Sequence, residues 1–120
     1  MSWDIYIQDL PPMATMAEVP VDFVPEPIGE REYLVKRIID VFPMADRQDK
    51  DWLFVRSGDM DISIQVYMED AVQVRYLLVH VHGGEHSAQG IAALLGHLGL
   101  RAIDTATGEI FDGDTLDEAL

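Results

Sequence analysis

Apolar and polar residues alternate from the start of the chain. Trp3, Ile5 and Ile7 are set against Asp4, Tyr6 and Gln8, the period of two that gives a strand one buried face. The same alternation runs over 61–68, with Ile62, Ile64, Val66 and Met68 against Asp61, Ser63, Gln65 and Tyr67. Trp52, Phe54 and Arg56 interleave with Leu53 and Val55, which predicts a short inner strand, apolar on both faces, before a Ser57-Gly58-Asp59 turn. After a second turn at Glu69-Asp70, residues 72–82 predict a strand whose parity changes. Val72, Val74 and Tyr76 are even and Leu77, Val79 and Val81 odd, so either a bulge near Leu77 and Leu78 or burial on both faces is expected.

Helical spacing occurs twice. Leu34, Ile38 and Val41 share a face that Val35, Ile39 and Phe42 widen, which predicts a helix over 29–42, supported by an i,i+4 pair Glu32–Lys36 and stopped by Pro43. Beyond the Gly83-Gly84 break, Ser87 is the expected N-cap of a second helix striped by Ile91, Leu94, Leu95 and Leu98, and Gly99-Leu100 is a Schellman-type ending. Gly90 and Gly96 inside it each cost about 1 kcal/mol relative to Ala, which points to close packing on the sheet. Arg101 to Asp104 and Glu109 to Asp112 predict a hairpin through residues 105–108, followed by an acidic tail, 113–120, with a Thr115-x-x-Glu118 capping spacing.

Residues 10–29 hold five of the six prolines, at positions 11, 12, 20, 25 and 27, which removes backbone donors and predicts a long, stiff loop. Its Met13, Met16, Val19, Val21, Phe23 and Val24 are too many apolar groups for a solvated linker, so it is expected to lie against the domain or a partner. The order strand, loop, helix, three strands, helix, hairpin predicts one α+β domain of 120 residues. Its architecture is a two-layer sandwich: an antiparallel-rich sheet with two helices on one face, in ferredoxin-like topology plus an extra hairpin.

Eight basic against 22 acidic residues leave a net charge of −14, and the basic residues are scattered among acids. Such a surface repels nucleic-acid phosphates and anionic membranes, and it favours a basic protein partner, cations or plain solubility. With no cysteine there is no thiolate chemistry and no disulfide framework, which fits a reducing compartment. The opening Met1-Ser2-Trp3-Asp4 lacks the basic and apolar regions of a secretory signal, and no apolar run approaches membrane-spanning length, so a cytoplasmic location is expected.

Chemistry concentrates in His80-Val81-His82-Gly83-Gly84-Glu85-His86. Residues two apart on a strand share a face, so His80 and His82 are candidate ligands of one zinc or nickel ion, with His86 completing the set and Glu85 as a base. The alternative is a strand end near water that tolerates histidine. Asp59-Met60-Asp61 and Asp112-Gly113-Asp114 lack the EF-hand spacing and read as solvated turns, and the glycine pair lacks any nucleotide-binding fingerprint. No serine stands in Gly-x-Ser-x-Gly.

Two stretches are similar to a known group: Trp3-Asp4-Ile5-Tyr6-Ile7-Gln8-Asp9-Leu10-Pro11-Pro12 through Asp22-Phe23-Val24-Pro25, and Leu100-Arg101-Ala102-Ile103-Asp104 with Thr107-Gly108-Glu109-Ile110-Phe111-Asp112. With the His80-x-x-Gly83-Gly84 turn they resemble small uncharacterised bacterial cytoplasmic proteins. The resemblance carries no activity and no functional residue, and members often have Arg at the place of His82 and lack His86. The sequence therefore favours a non-enzymatic domain that binds a protein, in an immunity-like or regulatory role, through its acidic face and Pro-rich loop. Self-association is a simpler variant, and a metal-dependent enzyme or metal-binding protein built on His80, His82 and His86 is the alternative. No resident cofactor is expected on the first reading.

Overall fold

The alternation in β1 (Trp3–Gln8) turns Ile5 and Ile7 fully inward and sends Asp4, Tyr6 and Gln8 to the opposite face. The computed structural model describes residues 3–67, 73–84 and 86–119. After β1 come a 3-10 turn at Met16–Glu18, β2 (Gly29–Glu30), α1 (Arg31–Val41), β3 (Asp46–Arg47), β4 (Trp52–Ser57) and β5 (Met60–Tyr67). β6 (Gln73–Val74), β7 (Tyr76–Gly83), α2 (Ser87–Leu98), β8 (Arg101–Asp104), β9 (Ile110–Phe111) and α3 (Gly113–Ala119) complete the order.

Seven strands form one antiparallel sheet in the order β3-β4-β5-β7-β1-β8-β9, and β2 pairs with β6 apart from it. Leu34, Val35 and Ile38 of α1 and Ile91, Leu94 and Leu95 of α2 join Ile5, Ile7, Leu53, Val55, Ile62, Ile64 and Val79 of the sheet in one core. The fold is thus the expected α+β sandwich, an antiparallel sheet with both longer helices on one face. The expected hairpin is present as β8–β9, with Ala102 opposite Phe111 and Ile103 opposite Ile110.

The connectivity departs from the ferredoxin-like expectation at α1. The run β8-β1-β7-β5 has the expected alternation, but α1 leads first into β3 and β4, outer strands beyond β5. β3, the strand that α1 enters, lies four antiparallel steps from β1 and so runs parallel to it at the far edge of the sheet, and β3 and β4 are inserted before β5 takes its place beside β7.

The parity change has its own cause. The chain changes sheets at Arg75: Val74 pairs with Gly29 in the small sheet, and Leu77 pairs with Val66 and Ile7 in the large one, both facing the core. The irregularity in register lies elsewhere, between Asp61 and Ile62, opposite His82. Met68, the Glu69-Asp70 turn and Val72 lie outside the described residues.

Part of the Pro-rich loop lies against the domain, while its Met16, Val21 and Val24 stay exposed. Leu10 and Val19 are buried with Ile110, and Met13, Phe23 and Ile103 pack on them, a second small core on the face of the sheet away from the helices. Met16 N–H and Ile110 N–H bond to Gly108 and Ala14 carbonyls, so the loop also pairs with the β9 edge.

Ser87 does not cap α2. His86 is the N-cap, while the Ser87 hydroxyl donates to the Gly83 carbonyl at 2.6 Å and accepts from Asp61 N–H. The other end is as expected: Gly99 is left-handed at φ +67° and both Gly99 and Leu100 N–H bond to the Leu95 carbonyl. Nor does Glu32 pair with Lys36. Arg47 of β3 forks onto both Glu32 oxygens at 2.8 and 2.9 Å, a planar bidentate match that an ammonium cannot offer, and holds that carboxyl below its usual range. Residues expected as an acidic tail form α3, capped by Asp112, with Leu116 against the main core.

Candidate functional site

The face of the sheet away from the helices divides into two halves. The Pro-rich loop covers Ile103 and Ile110 at the β8–β9 side. The rest, from β4 to β1, carries polar and aromatic side chains, Trp52, Phe54, His80 and Tyr6 among them.

Register places these side chains in transverse rows, because residues directly opposite in a ladder share a face. One row reads Asp46, Phe54, Ser63, His80, Asp4 across β3, β4, β5, β7 and β1. The next reads Trp52, Gln65, Leu78, Tyr6, Ile103 across β4, β5, β7, β1 and β8. Ser63, the short residue of the first row, is only 4% exposed, and its size leaves room for Trp52 and His80 to meet diagonally across β5.

The result is a stacked ladder of rings. Phe54 and Trp52 lie 5.8 Å apart at 9°, Trp52 and His80 6.1 Å apart at 19°, and His80 and His82 6.3 Å apart at 25°. Tyr6 and Tyr76 meet edge to face at 5.3 Å. Arg56 covers the outer ring, its guanidinium 5.3 Å from the Phe54 centroid. Pairs of aromatic side chains in such arrangements contribute about 0.5–1.5 kcal/mol beyond area burial.

The two strand histidines share this face, as their spacing predicts, but each has its own partner. His80 Nδ1 lies 2.7 Å from Asp4 Oδ1, and since a carboxylate only accepts, Nδ1 carries the proton there. His82 Nε2 lies 2.9 Å from the Ser63 hydroxyl. His86 is drawn off by the turn: its Nδ1 lies 2.9 Å from both Asp59 oxygens, between β4 and β5. The turn is held by Gly84, at φ +96°, where an added Cβ would fall 1.5 Å from the Asp59 carbonyl oxygen. Glu85 lies outside the described residues. Among the described residues no three His, Asp or Glu converge as a metal-ligand set.

Sequence spacing found His80 and His82 but not Asp4 or Ser63, which reach them only through strand pairing over 76 and 19 residues. In the sequence the aromatic ladder shows only as even-numbered Trp52 and Phe54, alternating with Leu53 and Val55 in a strand apolar on both faces. Three clefts, of about 240, 300 and 390 Å³, lie toward the C-terminal elements, and none of them is lined by histidine. No helix among the described residues is long and apolar enough to cross a membrane. No family model, curated protein or solved structure matches this chain.

Proposed function

We propose that the chain is a non-enzymatic protein-binding domain that seats a partner on the open half of its sheet. The observation that carries this reading is the ladder Phe54–Trp52–His80–His82, a contiguous row of stacked rings on a face that no described helix packs against. Interface centres favour such aromatic anchors because they bring large contact area at little cost in conformational entropy.

Charge defines the partner. Among the described residues, the charged groups on this half of the face include Asp4, Asp46, Asp61 and Arg56, and Asp4 is engaged by His80 and Asp61 by Arg56 at 3.7 Å. With histidine neutral these four groups sum to −2, so the rings lie in a mildly acidic setting on a chain of net charge −14. That field repels a second copy and attracts a protein whose apolar patch is ringed by Lys and Arg, so masking a basic partner, in an immunity-like or regulatory manner, is the role that fits.

Affinity capture from the native lysate, comparing the wild type with a Trp52→Ala/Phe54→Ala variant whose fold is verified by circular dichroism, tests the proposal. The expected result is a basic protein retained by the wild type through moderate salt and lost by the variant. Identical retention by both proteins, or retention of nothing, overturns it. Sedimentation showing a dimer that the variant dissolves would assign the face to a second copy instead.

A further inference from the structure

We propose that a cleft at the opposite side of the sheet, separate from the aromatic ladder, binds a small organic cation of the alkylammonium type. The cleft, of about 390 Å³, lies where the start of β1, the end of β8, β9, the loop at Ala14–Thr15 and α3 meet. That volume falls in the range of small-molecule sites.

Its lining combines two features. The first is aromatic: Trp3 and Phe111, both on the helix side of the sheet, stack with centroids 5.7 Å apart at 20°, beside the apolar Leu116. The second is anionic: Asp104 and Glu109 both line the cleft, no Lys or Arg does, and among the described residues neither carboxylate forms an ion pair. Asp104 is half-buried, fixed by the indole N–H of Trp3 at 3.1 Å and the N–H of Ala106 at 2.8 Å. Accepting the indole proton both locks the Trp3 ring and enriches its π-system, which strengthens its attraction for a cation.

These features select among ligand classes. An anion is repelled by the two carboxylates. A hard metal ion needs several converging oxygens, and the described residues supply no such set. A neutral apolar ligand leaves a half-buried carboxylate without a counter-charge. An ammonium group on an alkyl chain satisfies both parts, its charge toward Asp104 and Glu109 and its chain along Trp3, Phe111 and Leu116.

The test uses three probes of one size: n-hexylammonium, hexan-1-ol and hexanoate. In a Trp52→Phe background Trp3 is the only tryptophan, so its emission reports this cleft alone. A saturable change with hexylammonium is expected, with the alcohol and the acid at least about tenfold weaker. Asp104→Asn and Glu109→Gln should each weaken hexylammonium several-fold and leave hexanol unchanged. Because Asp104 also holds Trp3, Glu109→Gln is the decisive variant, its side chain supporting no described group. Equal response to all three probes, absence of saturation, or wild-type affinity in Glu109→Gln overturns the proposal. Its failure is distinct from failure of the open-face reading, which rests on Trp52 and Phe54.

Discussion

Asp112 shows how much one side chain does at the end of the chain. Its Oδ1 accepts from the backbone N–H of Thr115 at 2.8 Å and from the Thr115 hydroxyl at 2.7 Å, which satisfies an orphan donor of α3 and places a carboxylate at its positive end. Those hydrogen bonds hold the Asp112 carboxyl below its ordinary value. A carboxyl whose folded value is depressed contributes stability above its unfolded value, near 4, and loses it as pH falls through the folded value. Asp112→Ala should therefore cost about 1 kcal/mol at neutral pH. The gap between variant and wild type should narrow as the pH drops below about 4, read from urea midpoints at both pH values. A gap that stays constant would mean that the cap works without its charge. The sequence offered Thr115-x-x-Glu118 as the capping signal, whereas the cap is one turn earlier, at the Asp of Asp112-Gly113-Asp114-Thr115, a run that also reads as a solvated turn. Local spacing does not choose between those readings; the docking of α3 on α2 does.

Among the elements, legibility follows the range of the interactions that define them. β1 and β5 are readable because one face of each is buried and alternation is the direct record of that burial. The break at Arg75 is not, since a bulge, double-sided burial and a change of sheet all shift parity by one residue. The pairing of the loop with the β9 edge was equally hidden, although its apolar content did indicate docking. In α2 the glycines divide by neighbourhood. A Cβ at Gly90 would press on Phe42 at 3.0 Å and Met60 at 3.2 Å, the close packing its cost implied, but a Cβ at Gly96 would meet nothing within 4 Å. The close approach there comes from α3 instead: a Cβ at Gly113 would lie 2.6 Å from the Ala92 carbonyl oxygen. Gly96→Ala should thus raise stability by about 0.5–1 kcal/mol, through helix propensity and a less flexible unfolded chain. Gly113→Ala should lower stability by pushing α3 off α2, and thermal melts of the two single variants check the opposite signs. Stabilisation by both would show that α3 is free to move away.

For the whole molecule, the two faces of the sheet separate stability from recognition. Leu53 and Val55 are fully buried against the helices, while their neighbours Trp52 and Phe54 in the same strand stack on the open face and remain half-exposed. Truncating Leu53 to Ala leaves a cavity in the main core and should cost about 2–5 kcal/mol. Removing the two larger rings together should cost less than that single change, since solvent already reaches them and no packed layer collapses. Keeping tryptophan and phenylalanine where folding gains little from them is what an interaction surface requires, and denaturant midpoints of Leu53→Ala and Trp52→Ala/Phe54→Ala make the comparison directly. If the double variant is the less stable of the two, the open face is a structural layer and the recognition reading loses its basis. Charge gives an independent check, because a chain at −14 repels itself most strongly when folded. Screening that repulsion by raising salt from about 0.01 to 0.15 M shortens the Debye length from ~30 to ~8 Å, so the melting temperature should rise even as capture of a basic partner weakens. A melting temperature that falls with salt would deny the self-repulsion, and capture that strengthens with salt would deny the electrostatic attraction.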